Sequence, residues 1–232
     1  MTETGIDHDG RGAVPSLWER VPEGMKTLAR GLLTRSGLEP HVRLLFDSPL
    51  RDREWFECYG GVPMDRWGEL LPWMPYSFID FLDERLDPDA RVFEYGSGTS
   101  TRWFAERVGT VVSVEDDRTW FDEVRTSVPS NAEVVYRTGQ EYVSTPDEYG
   151  EFDLVVVDGR NRVECAETAA DSLAPDGVIV WDDSRGRSSY SSKIAELERA
   201  GFRELAFQGM GPVTANLQRT SVLYRDHNCL GI

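Results

Sequence analysis

Short apolar runs alternate with amphipathic segments over most of the chain after residue 75. The runs have the length of buried strands and lie at 91–95, 110–115, 133–137, 152–158 and 177–182. The segments with helical spacing of apolar residues lie at 76–86, 100–108, 118–127, 163–173 and 189–200. This alternation predicts a mostly parallel sheet covered by helices on both faces, which is a doubly wound α/β fold.

The end of the chain departs from this alternation. Two further strands are predicted at 202–207 and 218–225, and Gly201 before them is placed to cap the preceding helix. Only a short turn region joins the two strands, so we expect an antiparallel hairpin rather than a crossover. The predicted sheet therefore has seven strands and an antiparallel last strand.

The first part of the chain follows a different pattern. Residues 1–15 are polar and without periodicity, which predicts a frayed end, and a helix is predicted at 21–33. The stretch 46–75 is rich in aromatic residues. It is interpreted either as a cap against the main domain or as aromatics that only pack that domain's edge. We therefore predict a tail and cap segment at 1–72 and one α/β domain at 73–232.

Charge narrows the range of partners. The chain has 41 acidic and 25 basic residues among 232, a net charge of −16, and Lys26 and Lys193 are its only lysines. So acidic a chain argues against a nucleic-acid partner. An acid-rich, lysine-poor composition also predicts a halophilic source, because high salt screens self-repulsion. No membrane-length apolar run or signal peptide is recognised, which predicts a soluble, cytoplasmic protein.

The first predicted strand runs into a glycine turn, Glu94-Tyr95-Gly96-Ser97-Gly98, and a second strand ends at Glu115 roughly 20 residues later. This is the spacing of a nucleoside-binding βαβ unit. Glu94 would repel a pyrophosphate, and Thr101 replaces the third glycine of the dinucleotide fingerprint. An acid attracts the ammonium and sulfonium of S-adenosylmethionine, so we predict that molecule as the cofactor.

The predicted cofactor contacts combine this turn with later strand ends. They are Glu94, Tyr95, Gly96, Ser97, Gly98, Ser100, Thr101, Glu115, Asp116, Gln140 and Asp158. The two glycines allow close backbone approach, and the Glu115 carboxylate can accept both ribose hydroxyls. Asp116 and Gln140 are candidates for the adenine; a solvated helix start and a plain loop are the alternatives.

The glycine turn, Glu94 to Gly98, resembles motif I of the class I S-adenosylmethionine-dependent methyltransferases. Glu115 falls at that family's ribose-binding acid, and 152–158 resembles its fourth-strand motif. The resemblance covers Trp73 to the C-terminus and implies a Rossmann-like sheet and methyl transfer. A weaker resemblance, to uronic-acid methyltransferases of xylan and archaeal N-linked glycans, rests on segments 158–160, 182–185, 220–225 and 228–232.

Three acids follow the fourth and fifth strands. Asp158, Asp182 and Asp183 should border the ligand crevice, because strand carboxyl ends line it in open α/β sheets. Carboxylate oxygens suit Mg²⁺ or a similar divalent metal, and the arrangement resembles the catechol-type O-methyltransferases. The alternative is that Asp158 orients cofactor or substrate while the other two acids cap a loop.

Four arginines accompany these acids: Arg160, Arg162, Arg185 and Arg187. Guanidinium groups bind carboxylate or phosphate, so we predict an anionic acceptor; arginines that merely balance nearby acids are the alternative.

The predicted catalytic residues are Asp158, Asp182, Arg160 and Arg185. The function predicted is O-methylation of an anionic small molecule or sugar, foremost a glycan uronic acid. A metal-dependent catechol-type enzyme acting on a phenol and a non-catalytic S-adenosylmethionine-binding module are the alternatives.

Overall fold

The computed structural model describes residues 21–232, so the predicted frayed end at 1–15 lies outside the described residues. The chain divides into two compact units, of which the first ends at Glu57 and the second runs from Cys58 to Ile232. The predicted limits of the α/β domain, 73–232, remain a prediction.

The first unit is helical where it is described. Its helices are α1 (Glu23–Ser36), α2 (Glu39–Phe46), α3 (Pro49–Asp52) and α4 (Trp55–Cys58), the last of which crosses the unit boundary. The sequence predicted only α1, at 21–33. Prolines in the first turns of α2 and α3 start these helices, and Ser48 caps α3 by accepting a hydrogen bond from the Arg51 amide.

The second unit contains a seven-stranded sheet of order β3-β2-β1-β4-β5-β7-β6. Its strands are β1 (Arg91–Tyr95), β2 (Thr110–Glu115), β3 (Ala132–Tyr136), β4 (Phe152–Val157), β5 (Leu173–Trp181), β6 (Arg203–Gly209) and β7 (Gln218–Tyr224). The first five strands are parallel, whereas β7 pairs antiparallel with both β5 and β6. The predicted fold class, including its antiparallel last strand, is confirmed.

Helices precede β1 and follow each of the strands β1 to β5. They are α5 (Tyr76–Asp83), α6 (Thr99–Ala105), α7 (Arg118–Val124), α8 (Gly139–Ser144), α9 (Arg162–Asp171) and α10 (Ser188–Arg199), with a 3₁₀ turn at Thr145–Glu148. Gly201 has a left-handed φ of 96° two residues beyond α10, as its predicted capping role requires. None of the described helices combines the length and apolar character needed to cross a membrane.

The sheet supplies the hydrophobic core. Val92 and Phe93 of β1, the run Leu154–Val157 of β4 and the run Val178–Trp181 of β5 are each at most 1% exposed. Strands buried on both faces give continuous apolar runs, and this is why these three could be located from sequence. The beginning of β5 lies four residues earlier than predicted, at an irregular pairing with β4.

The register of the central strands aligns their carboxyl ends. Tyr95 of β1 pairs with Val157 of β4, which in turn pairs with Trp181 of β5. Main-chain hydrogen bonds continue one residue further, from the Asp158 amide to Tyr95 and from the Asp182 amide to Val157. The residues that follow these strands therefore meet at one edge of the sheet.

Candidate functional site

A cavity of about 260 Å³ lies at this edge, and we call it the strand-end cavity. It is lined by Glu94, Gly96, Ser97, Ser100, Glu115, Asp116, Tyr142, Asp158, Gly159 and Arg160. Seven of its lining residues, Glu94, Gly96, Ser97, Ser100, Glu115, Asp116 and Asp158, were predicted as cofactor contacts. The structure thus brings together side chains that are up to 66 positions apart in sequence, the interval from Glu94 to Arg160.

The glycine turn packs tightly against the loop after β4. Gly96 has φ of +94°, and a Cβ added there would lie 3.4 Å from the carbonyl oxygen of Asp158. Glycine relieves both constraints, since it tolerates a left-handed backbone and presents no side chain to the neighbouring loop. Trp120 of α7 fixes the turn from the other side by donating its indole N–H to the Ser97 carbonyl at 2.8 Å.

Glu94 is held by three hydroxyl groups. Its carboxylate accepts hydrogen bonds from Ser100, from Thr101 at 2.5 Å and from Ser113 at 2.9 Å, and the residue is 1% exposed. Burial raises the pKa of Glu94, although the three hydroxyls oppose that rise. The acid therefore ties the end of β1 to α6 and β2, while one of its surfaces still lines the strand-end cavity.

Glu115 is oriented by its own chain. One carboxylate oxygen accepts the amides of Asp116 and Asp117, both at 2.9 Å, and the other accepts the Ser97 hydroxyl at 2.8 Å. A carboxylate has about four acceptor positions, so the oxygen bound to Ser97 retains capacity for a further donor. The fixed orientation fits recognition of a ribose diol.

Tyr142 and Gly159 also line the strand-end cavity, and the sequence prediction missed them as cofactor contacts. Tyr142 is 1% exposed, and among residues 21–232 its hydroxyl has no hydrogen-bond partner. A Cβ at position 159 would lie 1.8 Å from that hydroxyl, so only glycine fits above it. A buried, unpaired donor beside the cavity is an observation that fits a polar ligand there.

Four predicted cofactor residues do not line the strand-end cavity: Tyr95, Gly98, Thr101 and Gln140. Tyr95 is fully buried and donates its hydroxyl to the Val143 carbonyl at 2.7 Å. Thr101 is fully buried behind Glu94 and accepts the Gly98 amide at 2.9 Å. Gln140 lies exposed on α8. The side chains of Tyr95 and Thr101 make hydrogen bonds inside the protein. These two residues therefore stabilise the site without contacting the cavity.

A second depression of about 460 Å³, the arginine cleft, adjoins the first. It is lined by Gly159, Arg160, Asn161, Arg162, Val163, Glu164, Asp183, Arg187, Ser189 and Tyr190. Gly159 and Arg160 belong to both cavities. The arginine cleft therefore opens beside the strand-end cavity, at the carboxyl ends of β4 and β5.

Asp158 and Asp182 form a carboxyl pair at this edge. Burial raises the pKa of Asp158 well above its usual range, the adjacent Asp182 adds to the rise, and Arg162 opposes it. Burial also raises the pKa of Asp182, against a hydrogen bond from Thr220 of β7. Carboxyls with raised pKa values are suited to proton transfer near neutral pH.

The four arginines have different roles. Arg162 is engaged by the protein itself: it donates to the Asp158 carboxylate at 2.9 Å, to the Gly159 carbonyl at 2.9 Å and to the Asp182 carbonyl. Arg185 donates to the Leu217 carbonyl at 3.1 Å and does not line the arginine cleft. The prediction that all four surround one anionic group is therefore not met.

The remaining two arginines line the arginine cleft with exposed side chains. Arg160 pairs with Asp116 at 3.0 Å while its side chain stays 73% exposed. Arg187 places its guanidinium 5.2 Å from the ring centre of Tyr190. Both can therefore contact a ligand without breaking a buried interaction.

The predicted divalent metal does not fit these acids. Within the described part of the chain, no three His, Cys, Asp or Glu side chains are grouped to hold a metal ion. One oxygen of Asp158 is bound by Arg162 and one of Asp182 by Thr220, while Asp183 is exposed at a left-handed φ of 48°. The carboxyl pair is consequently better suited to proton transfer than to metal binding.

Comparison with known proteins identifies related sequences and folds. Residues 93–184 match the sequence model of a family described as a methyltransferase domain. The search of curated proteins gave no match.

Several solved structures resemble the chain. An O-methyltransferase from Bacillus cereus in complex with SAH has 18% identity over 61% of this chain and 76% of that chain, with a TM-score of 0.50. The O-methyltransferase TomG from Streptomyces achromogenes, involved in tomaymycin synthesis and solved with SAM, has 19% identity over 62% and 77%, with a TM-score of 0.51. An rRNA methylase from Streptococcus thermophilus has 15% identity over 63% and 93%, with a TM-score of 0.51. At such identities the likeness establishes the fold alone.

Proposed function

We propose that the chain is an S-adenosylmethionine-dependent O-methyltransferase acting on an anionic sugar, and the match of residues 93–184 to a family described as a methyltransferase domain supports methyl transfer. S-adenosylmethionine binds in the strand-end cavity, and the acceptor, a uronic acid of a glycan, binds in the arginine cleft. The observation that carries this proposal is the shared wall of the two cavities, Gly159 and Arg160. Methyl transfer needs donor and acceptor side by side in one orientation.

The strand-end cavity has the groups that the donor requires. Glu115 is oriented to accept ribose hydroxyls, and Tyr142 offers an unpaired hydroxyl. Glu94, Asp116 and Asp158 add negative potential that favours a cation over a phosphate. The bound donor supplies an activated methyl group on a sulfonium, and the protein's contribution is to hold and align the two reactants.

The arginine cleft supports an anionic acceptor. Arg160 and Arg187 provide guanidinium groups, and the first turns of α9 and α10 adjoin them. Neither helix has a side-chain cap, since Asn161 and Arg187 at the N-cap positions make no capping hydrogen bond. Unpaired first-turn amides and the helix dipole favour negative charge.

The two alternative functions, a metal-dependent enzyme and a non-catalytic module, require different binding sites. A metal-dependent enzyme acting on a phenol needs a ligand set that the Asp158 and Asp182 pair does not supply on its own. A non-catalytic module would bind S-adenosylmethionine with no need for the arginine cleft beside it. Activity that is insensitive to a chelator and selective for an acidic acceptor distinguishes the proposed enzyme from both.

Cofactor binding is tested through Glu115. We expect Glu115→Ala to weaken S-adenosylmethionine binding by about 1 to 3 kcal/mol, the cost of leaving ribose hydroxyls without their acceptor. Isothermal calorimetry measures the change. Glu123→Ala is the matched control, because Glu123 is an exposed acid of the neighbouring helix α7. Equal affinities for the Glu115 variant and the control would contradict the assignment of the strand-end cavity.

A further inference from the structure

The two cavities differ in charge, since the arginine cleft is lined by three arginines and two acids, Glu164 and Asp183. Four of the side chains that line the strand-end cavity are acidic: Glu94, Glu115, Asp116 and Asp158. Of the described residues around it, only Arg160 is cationic, and its Nε atom pairs with Asp116. An acceptor atom beside the methyl group therefore lies in negative potential.

Tyr190 marks a polar position in the arginine cleft. The residue is 6% exposed, its ring packs on Trp181 at 5.2 Å between ring centres, and it lines the cleft. Its hydroxyl makes no hydrogen bond to any residue in the range 21–232. The hydroxyl oxygen stays accessible at the cleft, so it is available to donate a hydrogen bond to a polar ligand there.

The N-terminus of α10 lies at the same position. This helix has twelve residues and begins at Ser188, so Ser189 and Tyr190 belong to its first turn and Arg187 is its N-cap residue. Arg187, the Ser189 amide and the Tyr190 hydroxyl are available hydrogen-bond donors, whereas the Tyr190 amide already donates to the Arg187 carbonyl at 3.1 Å. Together they match a carboxylate, whose two oxygens accept several such bonds.

Resting on the function proposed above, we propose that the carboxylate of the acceptor is bound by Arg187, Tyr190 and the first turn of α10, and that the methylated atom is a hydroxyl oxygen of the same sugar acid. The product is then a methyl ether. A carboxylate used as the nucleophile would have to enter the strand-end cavity among its acids, Glu94, Glu115, Asp116 and Asp158, where like charges repel it. A hydroxyl is neutral and carries a proton that a nearby carboxylate can accept.

The methyl transfer requires only the methyl donor, the acceptor hydroxyl and the Asp158 carboxylate. A bond forms between the hydroxyl oxygen and the methyl carbon, and the carbon–sulfur bond breaks with its electron pair remaining on sulfur. The hydroxyl proton passes to the Asp158 carboxylate and from there to solvent. A carboxylate nucleophile would need no such proton acceptor, so proton acceptance by Asp158 is required only in ether formation.

The chemical nature of the product tests this inference directly. Methyl β-D-glucopyranosiduronic acid is incubated with the full chain and methyl-labelled S-adenosylmethionine, and the isolated product is treated with mild alkali. We expect the label to stay on the sugar, as an ether does. Release of labelled methanol would mean a methyl ester and would overturn the inference while leaving the enzyme assignment intact. No transfer to this acid, with cofactor binding intact by calorimetry, would overturn the proposed function and the inference with it.

The binding residues are tested by variants and by a neutral probe. Tyr190→Phe keeps the ring contacts and removes only the hydroxyl, and Arg187→Gln removes the charge. Calorimetric titration of the glucuronoside, with S-adenosylhomocysteine present, should show roughly 10- to 100-fold weaker binding for Arg187→Gln. The KM for the acid should rise with little change in kcat. Arg203→Gln is the control, because Arg203 pairs with Asp226 on the surface outside both cavities.

The neutral analogue separates recognition from structure. Methyl β-D-glucopyranoside lacks the carboxylate, so we expect it to be a poor acceptor for the unaltered chain and to be unaffected by either variant. Equal turnover of the neutral and acidic sugars, or unchanged affinity of the Arg187 variant for the acid, would refute the proposed carboxylate contact.

Discussion

Glu94 has the predicted position at the cavity, but its main role in the structure differs from the predicted one. From the sequence, Glu94 was predicted to lie at the end of β1 and to attract a cationic methyl donor. The structure gives it three hydroxyl donors, Ser100, Thr101 and Ser113. Its main contribution in the folded chain is therefore to join β1, α6 and β2, with the charge effect on the strand-end cavity as a second role.

The burial of Glu94 predicts that the free energy of unfolding depends on pH. The pKa of Glu94 is raised above its ordinary value of 4.5, so above pH 4.5 the folded state holds this proton more tightly than the unfolded state. Stability therefore falls as pH rises, by at most about 1.4 kcal/mol per pH unit, until the folded-state pKa is passed. The free energy of unfolding of the unaltered chain minus that of Glu94→Gln should decrease over this range in denaturant titrations.

Glu123→Gln provides the comparison for this measurement, since Glu123 is exposed and its replacement should leave the pH dependence of unfolding unchanged. A constant difference between the unaltered chain and Glu94→Gln at every pH would show that Glu94 has the same pKa in the folded and unfolded states.

The site residues that could be predicted are those whose position follows from a strand end. Glu115, Asp158 and Asp182 each follow an apolar run, so their common edge could be inferred before the structure was known. The engagement of Arg162 could not be inferred. It depends on the curve of the loop between Asp158 and α9, where Asn161 adopts a left-handed φ of 49°.

At the scale of elements, the long periodic segments were predictable and the short ones were not. Strands β1 and β2 have the predicted limits, 91–95 and 110–115. Helix α8 was missed because its six residues contain only two neighbouring apolar positions, Tyr142 and Val143, too few to show a helical period. The missing helix is why Tyr142 was not recognised as a wall of the strand-end cavity.

The contact between α8 and the loop after β4 gives a prediction for Gly159→Ala. The added Cβ would meet the Tyr142 hydroxyl at 1.8 Å, so the loop or the tyrosine must move. We expect a loss of about 1 to 3 kcal/mol in the free energy of unfolding, as for other overpacked sites. If the strand-end cavity binds S-adenosylmethionine as proposed, the affinity for it should fall as well, because both residues line that cavity.

Two further variants sharpen this measurement. Adding Tyr142→Phe removes the clashing oxygen, so the double variant should recover part of the lost stability. Gly209→Ala is the control, because its nearest neighbour outside the adjoining residues is 3.8 Å from an added Cβ. Equal stability of Gly159→Ala and Gly209→Ala would refute the close contact.

At the scale of the whole molecule, charge adds information that the fold does not contain. The net charge is −16, and self-repulsion of this size favours expanded states. We predict that Tm rises by several degrees as KCl increases from about 0.1 M to about 1 M, because the Debye length falls from about 10 Å to about 3 Å. Scanning calorimetry measures the shift, with sucrose as an uncharged comparison. A Tm independent of KCl would contradict adaptation to high salt.

The fold as a whole was accessible from sequence because its central strands are buried on both faces and its last two are separated by a short turn. The acceptor was not accessible by the same route. Similar folds include enzymes described as O-methyltransferases and as an rRNA methylase, so the sheet alone does not select a substrate. Selection depends on side chains of the loops after β4 and β5, which periodicity does not describe.

The dipeptide Gly159-Arg160 has a consequence for how kinetic data on this protein should be read. Since it lines both cavities, any movement of it on binding one ligand would alter the free energy of binding the other, and thermodynamic reciprocity would make the two effects equal. A substitution at either position therefore reports on the coupling between ligands, and its effect does not divide into separate contributions from each.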